Sequence, residues 1–408
     1  MIDLADPLLY ADGDPYAVWR SLRTHSPVHW QPVERPGSPP GLGFWAVTRY
    51  PEVDRVLGDH ACFTSERGTL LNLLGKGDPA AGRQLAATDP PRHDRMRAPL
   101  QRAMGARSAR AYAGQIRAGI KDLLRPGATG EPFDLAAAMG RLPLALIGPL
   151  LDLPAADWPD LARLTAMCAA EDDPDYQVGG GVADTLARGH RELFAYLADL
   201  VRHRARSPGD DLVSVLLGMR FEGARLPPGA VVSNCYSLLL GASVTLPHVP
   251  TAAVAELART GRYADWAARP DLLACGVEEA LRWSSPASHF MRHARCPVRL
   301  AGVPIAAGDA VVAWLGAANR DPTVFTDPDT FDVRRPPGRH LAFGSGRHYC
   351  IGAHLARATL RLVFTELFGT FESVTLLAEP VRVRSTFLAG IKRLPVVGTP
   401  AARAGAPC

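Results

Sequence analysis

Apolar residues recur every three or four positions along most of this chain of 408 residues. That spacing is typical of amphipathic helices. It is clearest at 14–24, 94–103, 187–202 and 276–283. Alternation of apolar and polar residues, which favours strands, is confined to short segments. These are 28–31, 43–47, 298–300, 303–305 and 310–313. The pattern predicts a mainly α-helical protein with a minor β lobe.

Segment 226–255 has no charged residue other than His248, so its length raises the question of a membrane span. Prolines interrupt it, because Pro227 and Pro228 lie at its start and Pro247 and Pro250 near its end. Proline removes a helical hydrogen bond and bends or ends a helix. We therefore predict a buried central helix that is broken near Pro247, and no membrane association.

The chain shows no linker that would divide it into domains. Its Pro/Gly-rich stretches, 36–43 and 336–338, are short and lie between patterned segments. Length alone would allow two or three domains. We nevertheless expect a single domain over residues 1–408.

Composition narrows the classes of protein further. The formal charge is +4 and basic residues form no long run, which argues against nucleic-acid binding. The cysteines number seven and are scattered, which argues against a disulfide framework and for a reducing compartment. The start of the chain shows no charged segment followed by an apolar leader. We expect a cytoplasmic protein.

The most informative segment is 343–352, in which a glycine-rich turn leads into an apolar helix. Gly344 and Gly346 allow backbone angles that other residues resist. Cys350 stands where the free amides and the positive end of the helix favour a thiolate. A thiolate can hold haem iron. Two alternatives are a buried structural thiol and a zinc site. The zinc candidates lack the usual short cysteine pairs; they are His289, His293, Cys296, His348 and Cys350.

The spacing Phe343-x-x-Gly346-x-His348-x-Cys350-x-Gly352 resembles the haem-ligand signature of soluble bacterial cytochrome P450s. So many matched positions favour a haem site over the two alternatives. The resemblance extends along nearly the whole chain. It implies the triangular, mainly helical P450 fold around haem b, with Cys350 as the iron ligand. It also implies that Phe343, Gly344 and Gly352 lie against the haem.

The resemblance assigns a structural network to three charged residues. Glu279 and Arg282 are three residues apart, so they can pair on one helical face. In P450s this pair is buried and is joined by an arginine that precedes the haem loop, which corresponds to Arg335 here. Such a network would fix the loop that carries the cysteine.

A basic cluster is also implied. His93 and Arg97 are four residues apart on a predicted helix for which Asp89 is a candidate cap. Two basic side chains at this spacing suit a carboxylate, and the pattern is similar to the haem-propionate contacts of P450s. The resemblance adds Arg292 and His348 to these contacts.

Residues 241–245 correspond to the Ala-Gly-x-(Asp or Glu)-Thr segment of the central P450 helix, whose acid and hydroxyl relay protons during oxygen activation. Here the candidate catalytic residues are Ala242, Ser243 and Thr245, and Val244 replaces the acid. Protons could be delivered by Thr245 with water, by Ser243, by His248, or by a polar group of the substrate. Either Val244 simply packs and water suffices, or the chemistry departs from ordinary hydroxylation.

The resemblance predicts a mostly apolar substrate pocket for a mid-sized lipophilic or aromatic molecule. His289 is its expected polar anchor, and residues 179–181, all glycine, suggest a mobile entrance. The remaining predicted pocket residues are Leu70, Leu71, Leu240, Val244, Phe290, Phe387 and Leu388.

The leading functional hypothesis is a haem-thiolate monooxygenase of natural-product biosynthesis. Its electrons would come from an external ferredoxin and ferredoxin reductase, and its substrate would be free or tethered to a carrier protein. Two alternatives stay open: a peroxide-driven or non-oxygenating haem-thiolate enzyme, and a non-catalytic haem-binding protein. Basic side chains expected to dock an acidic ferredoxin are Arg95, Arg347, Arg357 and Arg361.

Overall fold

The computed structural model describes residues 3–34, 39–221 and 223–401, with only the backbone at Ala106 and Arg107. Residues 36–38 of the first Pro/Gly-rich stretch therefore lie outside the described residues. The helices are α1 Leu8–Ala11, α2 Pro15–His25, α3 Tyr50–Gly58, α4 Arg92–Ala103, α5 Ala106–Leu124, α6 Leu135–Gly140, α7 Leu142–Leu151, α8 Trp158–Ala169, α9 Val182–Arg206, α10 Leu212–Gly218, α11 Pro228–Ser243, α12 His248–Arg259, α13 Tyr263–Ala267, α14 Leu273–Ser284, α15 Leu315–Ala318 and α16 Ala353–Thr370.

The strands are short, as predicted. They are β1 Val28–Pro32, β2 Gly43–Val47, β3 Phe63–Thr64, β4 Phe133–Asp134, β5 Arg220–Phe221, β6 Ala224–Arg225, β7 His289–Ala294, β8 Val298–Leu300, β9 Val303–Ile305, β10 Ala310–Trp314, β11 Phe371–Leu376, β12 Val381–Arg382, β13 Ile391–Arg393 and β14 Pro395–Pro400. The mainly helical fold with a minor β lobe is confirmed.

The largest described sheet has the order β1-β2-β10-β7-β3. Strands β10 and β7 are antiparallel, with Val311 opposite Arg292 and Ala313 opposite Phe290. Side chains alternate between the two faces of a strand. Phe290 and Arg292 therefore share one face of β7, and this face looks onto the central cavity.

Helix α11 lies at the centre of the helical layer, against α7, α8, α9 and α10. Helix α16 packs along α5 and buries Leu355, Leu360 and Val363 at helical spacing. Both helices belong to one continuous apolar core. This packing holds α11 and the start of α16 on either side of the cavity.

The central apolar segment is broken as predicted. Helix α11 ends at Ser243 and α12 begins at His248, with Pro247 between them. By length and composition the stretch Pro228–Arg259 could cross a membrane, and 56% of its most apolar window is buried inside the protein. The break and the burial are those of a core helix pair rather than of one continuous span.

The predicted cap of α4 is wrong. The helix begins at Arg92, and the carboxylate of Asp89 turns away from it to accept hydrogen bonds from Thr64 Oγ1, from Arg295 and from the Ser65 N–H at 3.0 Å. The N–H of His93 donates instead to the Asp89 carbonyl, at 3.0 Å. A guanidinium is the stronger partner for a buried carboxylate, so the charge-assisted bond prevails over capping.

Candidate functional site

A cavity of about 750 Å³ lies between the C-terminal part of α11 and the loop that precedes α16. Its wall is mainly apolar. The eight residues predicted to contact the cofactor all line it; they are His93, Arg97, Arg292, Phe343, Gly344, His348, Cys350 and Gly352. Residues that are up to 259 positions apart along the sequence therefore meet at one end of one cavity.

Cys350 stands at this end of the cavity, between the turn Gly346–His348 and helix α16. Its N–H donates to the Phe343 carbonyl at 2.8 Å, which closes the loop. Gly344 and Gly346 have φ values of 70° and 66°, so they adopt the left-handed conformation that glycine favours. Cys350 is solvent-accessible, and because it lines the cavity its sulfur is open to a ligand there.

Burial raises the pKa of the Cys350 thiol, and the N–H groups of Gly352 and Ala353 together with Arg97 and Arg357 offset this only in part. The N–H groups at the helix end favour the thiolate, as predicted, but desolvation of the sulfur outweighs their effect. A metal cation bound to the sulfur would supply the missing stabilisation.

A glycine at position 352, at the start of a helix, suggests that the helix approaches its neighbours closely there, and this expectation is wrong. A Cβ at this position would lie 3.9 Å from both Cys350 Sγ and Met104 Cε, which is ordinary contact. The close approach occurs at Gly346, where a Cβ would lie 2.6 Å from Gly58 Cα in α3. The glycine that the fold requires is therefore the one in the turn before Cys350, and not the one after it.

Cys168 also lines the cavity, but its surroundings oppose a thiolate. Burial, together with the Glu171 carboxylate, raises the pKa of Cys168 to about 12, although a hydrogen bond with Tyr236 acts in the opposite direction. Cys350 instead has two arginines and two backbone N–H groups that lower the pKa of its thiol. Of these two cysteines, Cys350 is the better metal ligand.

The basic cluster lies beside Cys350. The rings of His93 and His348 are 4.4 Å apart, and His348 Nε2 is hydrogen-bonded to Ser65 Oγ at 3.0 Å. Burial lowers the pKa of His348 to about 2, with a further contribution from Arg292. Burial likewise lowers the pKa of Arg292 to about 10. Burying several basic side chains together is unfavourable unless an anion binds to them.

The residues present fit a haem. His93 is fully buried and its Nε2 has no hydrogen-bond partner among the described residues. The Arg97 and Arg292 guanidinium groups line the same wall. A haem would bring two carboxylates to these donors and an iron to the Cys350 sulfur. The unpaired nitrogen and the accessible thiol are therefore both accounted for by one cofactor.

The structure brings Glu279, Arg282 and Arg335 together. Arg282 donates Nε and Nη2 to the two carboxylate oxygens of Glu279, both at 2.7 Å, and Arg335 Nε donates to Glu279 Oε2 at 3.0 Å. The side chains of Arg282 and Glu279 are 2% and 1% exposed. Arg282 Nη1 also donates to the carbonyls of Asn319 and Pro328, at 2.8 and 2.9 Å.

Sequence reasoning missed Asn319, which connects this network to the loop before α16. Its Oδ1 accepts the Leu341 N–H at 2.6 Å, and its Nδ2 donates to Ser285 Oγ at 2.7 Å. Nothing in the sequence around Asn319 distinguishes it from a surface residue. Its role follows only from the tertiary contact between α14 and the segment after α15.

Arg357 was predicted to dock ferredoxin, and the structure contradicts this. Its Nε and Nη2 donate to Glu278 at 2.7 and 2.8 Å, its Nη1 donates to Tyr349 Oη at 2.9 Å, and the guanidinium lies 4.5 Å from the Phe343 ring centroid. Burial would raise the pKa of Glu278, but hydrogen bonds from His340 and Arg357 lower it to about 2. A guanidinium paired in this way stabilises the loop and is not free for a partner.

On α11, Ala242 and Thr245 line the cavity and Ser243 does not. The Ser243 Oγ is buried without a hydrogen-bond partner among the residues described. Successive helical residues point about 100° apart, so Ser243 faces away from the cavity that its neighbours line. Its predicted catalytic role is wrong for this reason. Thr245 Oγ1 donates to the Gly241 carbonyl at 2.8 Å.

His248 was a further candidate proton source, and its position is also wrong for that role. It lies at the start of α12, and a Cβ on Gly390 would touch its ring at 2.7 Å, so it packs against the chain near β13. Burial lowers the pKa of His248 to about 4. Of the three candidate side chains, Thr245 is the one that reaches the cavity.

Val244 packs, as the simpler interpretation of its sequence position holds. It is 5% exposed and belongs to a small apolar cluster with Ala169, Ala170, Val383 and Leu388. An acid at this position would lose its hydration among apolar side chains.

Five predicted pocket residues line the cavity, and three do not. Those that do are Leu70, Leu240, Val244, Phe290 and Phe387. His289 is fully buried on the other face of β7, where its Nε2 accepts the Leu71 N–H and its Nδ1 bonds the Thr386 carbonyl, both at 3.2 Å. Its role as a polar anchor is wrong because strand side chains alternate, and Phe290 takes the cavity side.

The predictions that Leu71 and Leu388 line the pocket are also wrong. Leu71 begins a short turn and packs toward the cluster that contains Trp314, whereas Leu70 faces the cavity. Leu388 packs behind Val244, whereas Phe387 faces the cavity. In each pair, one side chain lines the cavity and its neighbour packs in the apolar core.

The sequence analysis also missed the polar residues of the cavity wall that lie toward the start of α11. They come from the segment before α4 and from helices α9 and α11, and are Asn72, Asp78, Gln84, His190 and Tyr236. The one sequence signal was the four-residue spacing of His190 and Phe194, which share a face of α9.

Comparison with known proteins gives consistent results over the whole chain. The Cytochrome P450 family model matches residues 253–391. Cytochrome P450 NovI of Streptomyces niveus is 34% identical over 402 residues, which are 97% of this chain and 96% of the relative. The mycinamicin IV hydroxylase/epoxidase of Micromonospora griseorubida is 32% identical over 96% of this chain and 99% of its own length.

Solved structures agree with these relatives. The crystal structure of P450 OxyD, involved in the biosynthesis of vancomycin-type antibiotics, superimposes with a TM-score of 0.86 at 35% identity. The match covers 98% of this chain and 100% of that one.

The first testable prediction concerns the buried network. Glu279→Gln leaves the Arg282 guanidinium buried without its counter-charge, so we expect the free energy of unfolding to fall by about 3–5 kcal/mol. We also expect the purified protein to retain less haem, read as the ratio of Soret to protein absorbance. Urea denaturation measures the stability change.

Glu256→Gln is a matched control, because Glu256 also pairs with an arginine three residues on, the 65%-exposed Arg259. Surface pairs of this kind contribute about 0–1 kcal/mol. Equal losses of unfolding free energy in the two variants would show that the buried pair of Glu279 and Arg282 stabilises the protein no more than an exposed pair does.

A second prediction concerns Gly346. Gly346 has a φ of 66°, and Gly346→Ala adds a Cβ that would overlap the Gly58 backbone. We expect a loss of unfolding free energy and of bound haem that exceeds the loss from Gly302→Ala. Gly302 has a φ of 83° but open space around it, so the backbone conformation alone should cost about 1–2 kcal/mol there. Equal stability of the two variants would contradict the steric argument.

Proposed function

Because the chain belongs to the cytochrome P450 family, we propose that this monooxygenase oxidises a mid-sized lipophilic or aromatic molecule in natural-product biosynthesis. The observation that carries the proposal is the cavity itself. Cys350 and the basic cluster lie at one end of it, and Thr245, Leu240 and Phe290 form apolar wall beside them. Relatives named for antibiotic biosynthesis support the biological role.

Enzymes of this family are haem-thiolate proteins, and the residues here fit that cofactor. In the proposal, Cys350 ligates the iron, and His93, Arg97, Arg292 and His348 bind the propionates. When bound, the haem supplies oxygen activation and the transfer of one oxygen atom to carbon. The chain supplies the binding, the orientation and the path for protons.

Thr245 is the remaining candidate side chain for delivering protons. Its hydroxyl donates to the Gly241 carbonyl, so the Oγ1 lone pairs are free to accept a hydrogen bond from water in the cavity. Val244 contributes an apolar side chain to the cavity wall and cannot carry a proton. Protons therefore reach the reaction through water held at Thr245 Oγ1, or from a polar group of the substrate.

A peroxide-driven reaction is the second candidate, and the valine in place of an acid at position 244 favours it. A peroxide brings both protons that the departing water needs, so the net reaction takes none from an acid on α11. The two candidates differ in their co-substrates: one needs O₂ with an electron donor, and the other needs peroxide alone. Product formation with each, measured on the same substrate, decides between them.

Electron delivery is proposed to come from an external ferredoxin and its reductase, in the cytoplasm. Arg95, Arg347 and Arg361 are exposed, and Arg347 and Arg361 flank the Cys350 loop and α16. Arg347 lies 3.4 Å from Asp94, so an incoming carboxylate would compete with that ion pair.

The experiment that tests the proposal is a ligand screen on the ferric protein, followed by turnover. A molecule that shifts the Soret band toward high spin would bind in the cavity close to the haem. It should then yield an oxidised product with ferredoxin, reductase and O₂. Binding with no product under O₂ or peroxide would contradict monooxygenase function. Binding only when the molecule is attached to a carrier protein would identify a tethered substrate.

A third prediction tests the proton path. Thr245→Val removes the hydroxyl while keeping the side-chain shape, so we expect the rate of O₂-driven product formation to fall by roughly 10²-fold. Thr245→Ser keeps the hydroxyl and should retain most of the rate. The rate of product formation measures the effect, and product yield per O₂ consumed shows whether O₂ use is uncoupled from it. Equal behaviour of the two variants would show that protons do not pass through this hydroxyl.

A further inference from the structure

The cavity has a second polar region, distant from Cys350 and built from different elements. Tyr236 lies six residues before Ala242 on α11, which at 1.5 Å per residue places it roughly 9 Å farther along the helix axis. Both residues line the cavity. We call this region the distal pole and define it by Asn72, Asp78, His190, Phe194 and Tyr236, all of which line the cavity.

Aromatic rings form one side of the distal pole. The rings of Phe194 and Tyr236 stack with centroids 4.9 Å apart, and His190 lies edge-on to Tyr236 at 5.6 Å. His190 Nε2 is hydrogen-bonded to Tyr236 Oη at 3.0 Å. Burial lowers the pKa of His190, which favours its neutral ring. Aromatic faces of this kind attract a cation.

Hydrogen-bond acceptors form the other side. The Asp78 carboxylate lines the cavity and accepts the Ala80 N–H at 2.8 Å. Asn72 Nδ2 donates to Glu171 Oε1 at 3.1 Å, and its buried Oδ1 has no hydrogen-bond partner in the part of the chain described. Glu171, 8% exposed, lies behind Asn72. These groups need a donor, and a buried acceptor without one is costly.

Burial raises the pKa of both Asp78 and Glu171, and nearby cations offset this little. Lys76 acts on Glu171 but is exposed, so solvent screens its charge. Arg191 also lines the cavity, and its exposed side chain lies where the cavity meets solvent. A bound cation would offset the effect of burial by favouring the carboxylate forms. The distal pole therefore places carboxyl groups next to aromatic faces, in contrast to the basic cluster beside Cys350.

We infer that the substrate carries an organic ammonium group, held at the distal pole between the Asp78 carboxylate and the faces of Phe194 and Tyr236. The inference rests on the proposed function, because it assigns the opposite end of the substrate to the reaction near Thr245. The positive charge would lie beside the Asp78 carboxylate and the ring faces, and an ammonium that also carries an N–H would donate it to the free Oδ1 of Asn72. The two ends of the cavity thereby set the orientation of the substrate.

The test uses two probes of the same shape and different charge. One is (4-phenylbutyl)trimethylammonium, and the other is its neutral hydrocarbon analogue with carbon in place of nitrogen. A quaternary nitrogen has no lone pair, so it cannot ligate the iron and imitate binding. Calorimetric titration of the ferric holoprotein gives both dissociation constants. We expect the wild type to bind the cation about tenfold more tightly than the neutral probe.

Variants locate the effect. Asp78→Asn should remove most of the preference for the cation by weakening cation binding alone. Phe194→Leu should reduce the preference while keeping the carboxylate. Asp210→Asn, an exposed exchange between α9 and α10, is the charge-matched control and should leave the preference unchanged. Each variant is first checked for haem content equal to that of the wild type.

Three results would overturn the inference. They are equal or weaker binding of the cation by the wild type, an unchanged preference in both Asp78→Asn and Phe194→Leu, and no calorimetric binding of the cation at millimolar concentration. Failure of the proposed monooxygenase reaction is separate, since it is measured by O₂-dependent product formation. A cation preference that depends on Asp78 would stand even if the oxidation chemistry were different.

Discussion

The rest of the site depends on the buried contact between Glu279 and Arg282. This ion pair lies inside helix α14, but its remaining donors reach the carbonyls of Asn319 and Pro328 in a distant segment. In turn, Asn319 Oδ1 accepts a hydrogen bond from the N–H of Leu341, which lies just before the loop 343–350 that carries Cys350. A buried guanidinium needs every donor paired. Satisfying Arg282 therefore fixes the segment that positions Cys350.

This constraint explains why the chain can hold an accessible thiol in a rigid loop. The hydrogen bond from the Cys350 N–H to Phe343 closes the loop, and Gly346 lets it approach α3. The basic cluster lies beside the sulfur, although burial disfavours the charged forms of the basic side chains. The cost is offset when an anionic cofactor pairs with these side chains. Folding and cofactor binding are coupled in this way.

The sequence was sufficient for the fold class, for the broken central helix and for the residues beside Cys350, because short motifs with special backbone needs carry those features. It failed where the outcome depended on which face a residue presents. His289 and Ser243 have the right chemistry at the right place along the chain, but strand and helix geometry turn them away from the cavity. The distal pole joins three separate segments, so no local pattern could indicate it.

The most direct test of the account is the spectrum of the reduced protein with carbon monoxide, compared between the wild type and Cys350→Ser. The account predicts the red-shifted Soret band of thiolate ligation in the wild type and its loss in the variant. Cys168→Ser, which changes another cysteine of the cavity wall, should keep the band. A wild-type band without the red shift, or a red-shifted band that survives in Cys350→Ser, would contradict the assignment of the haem site.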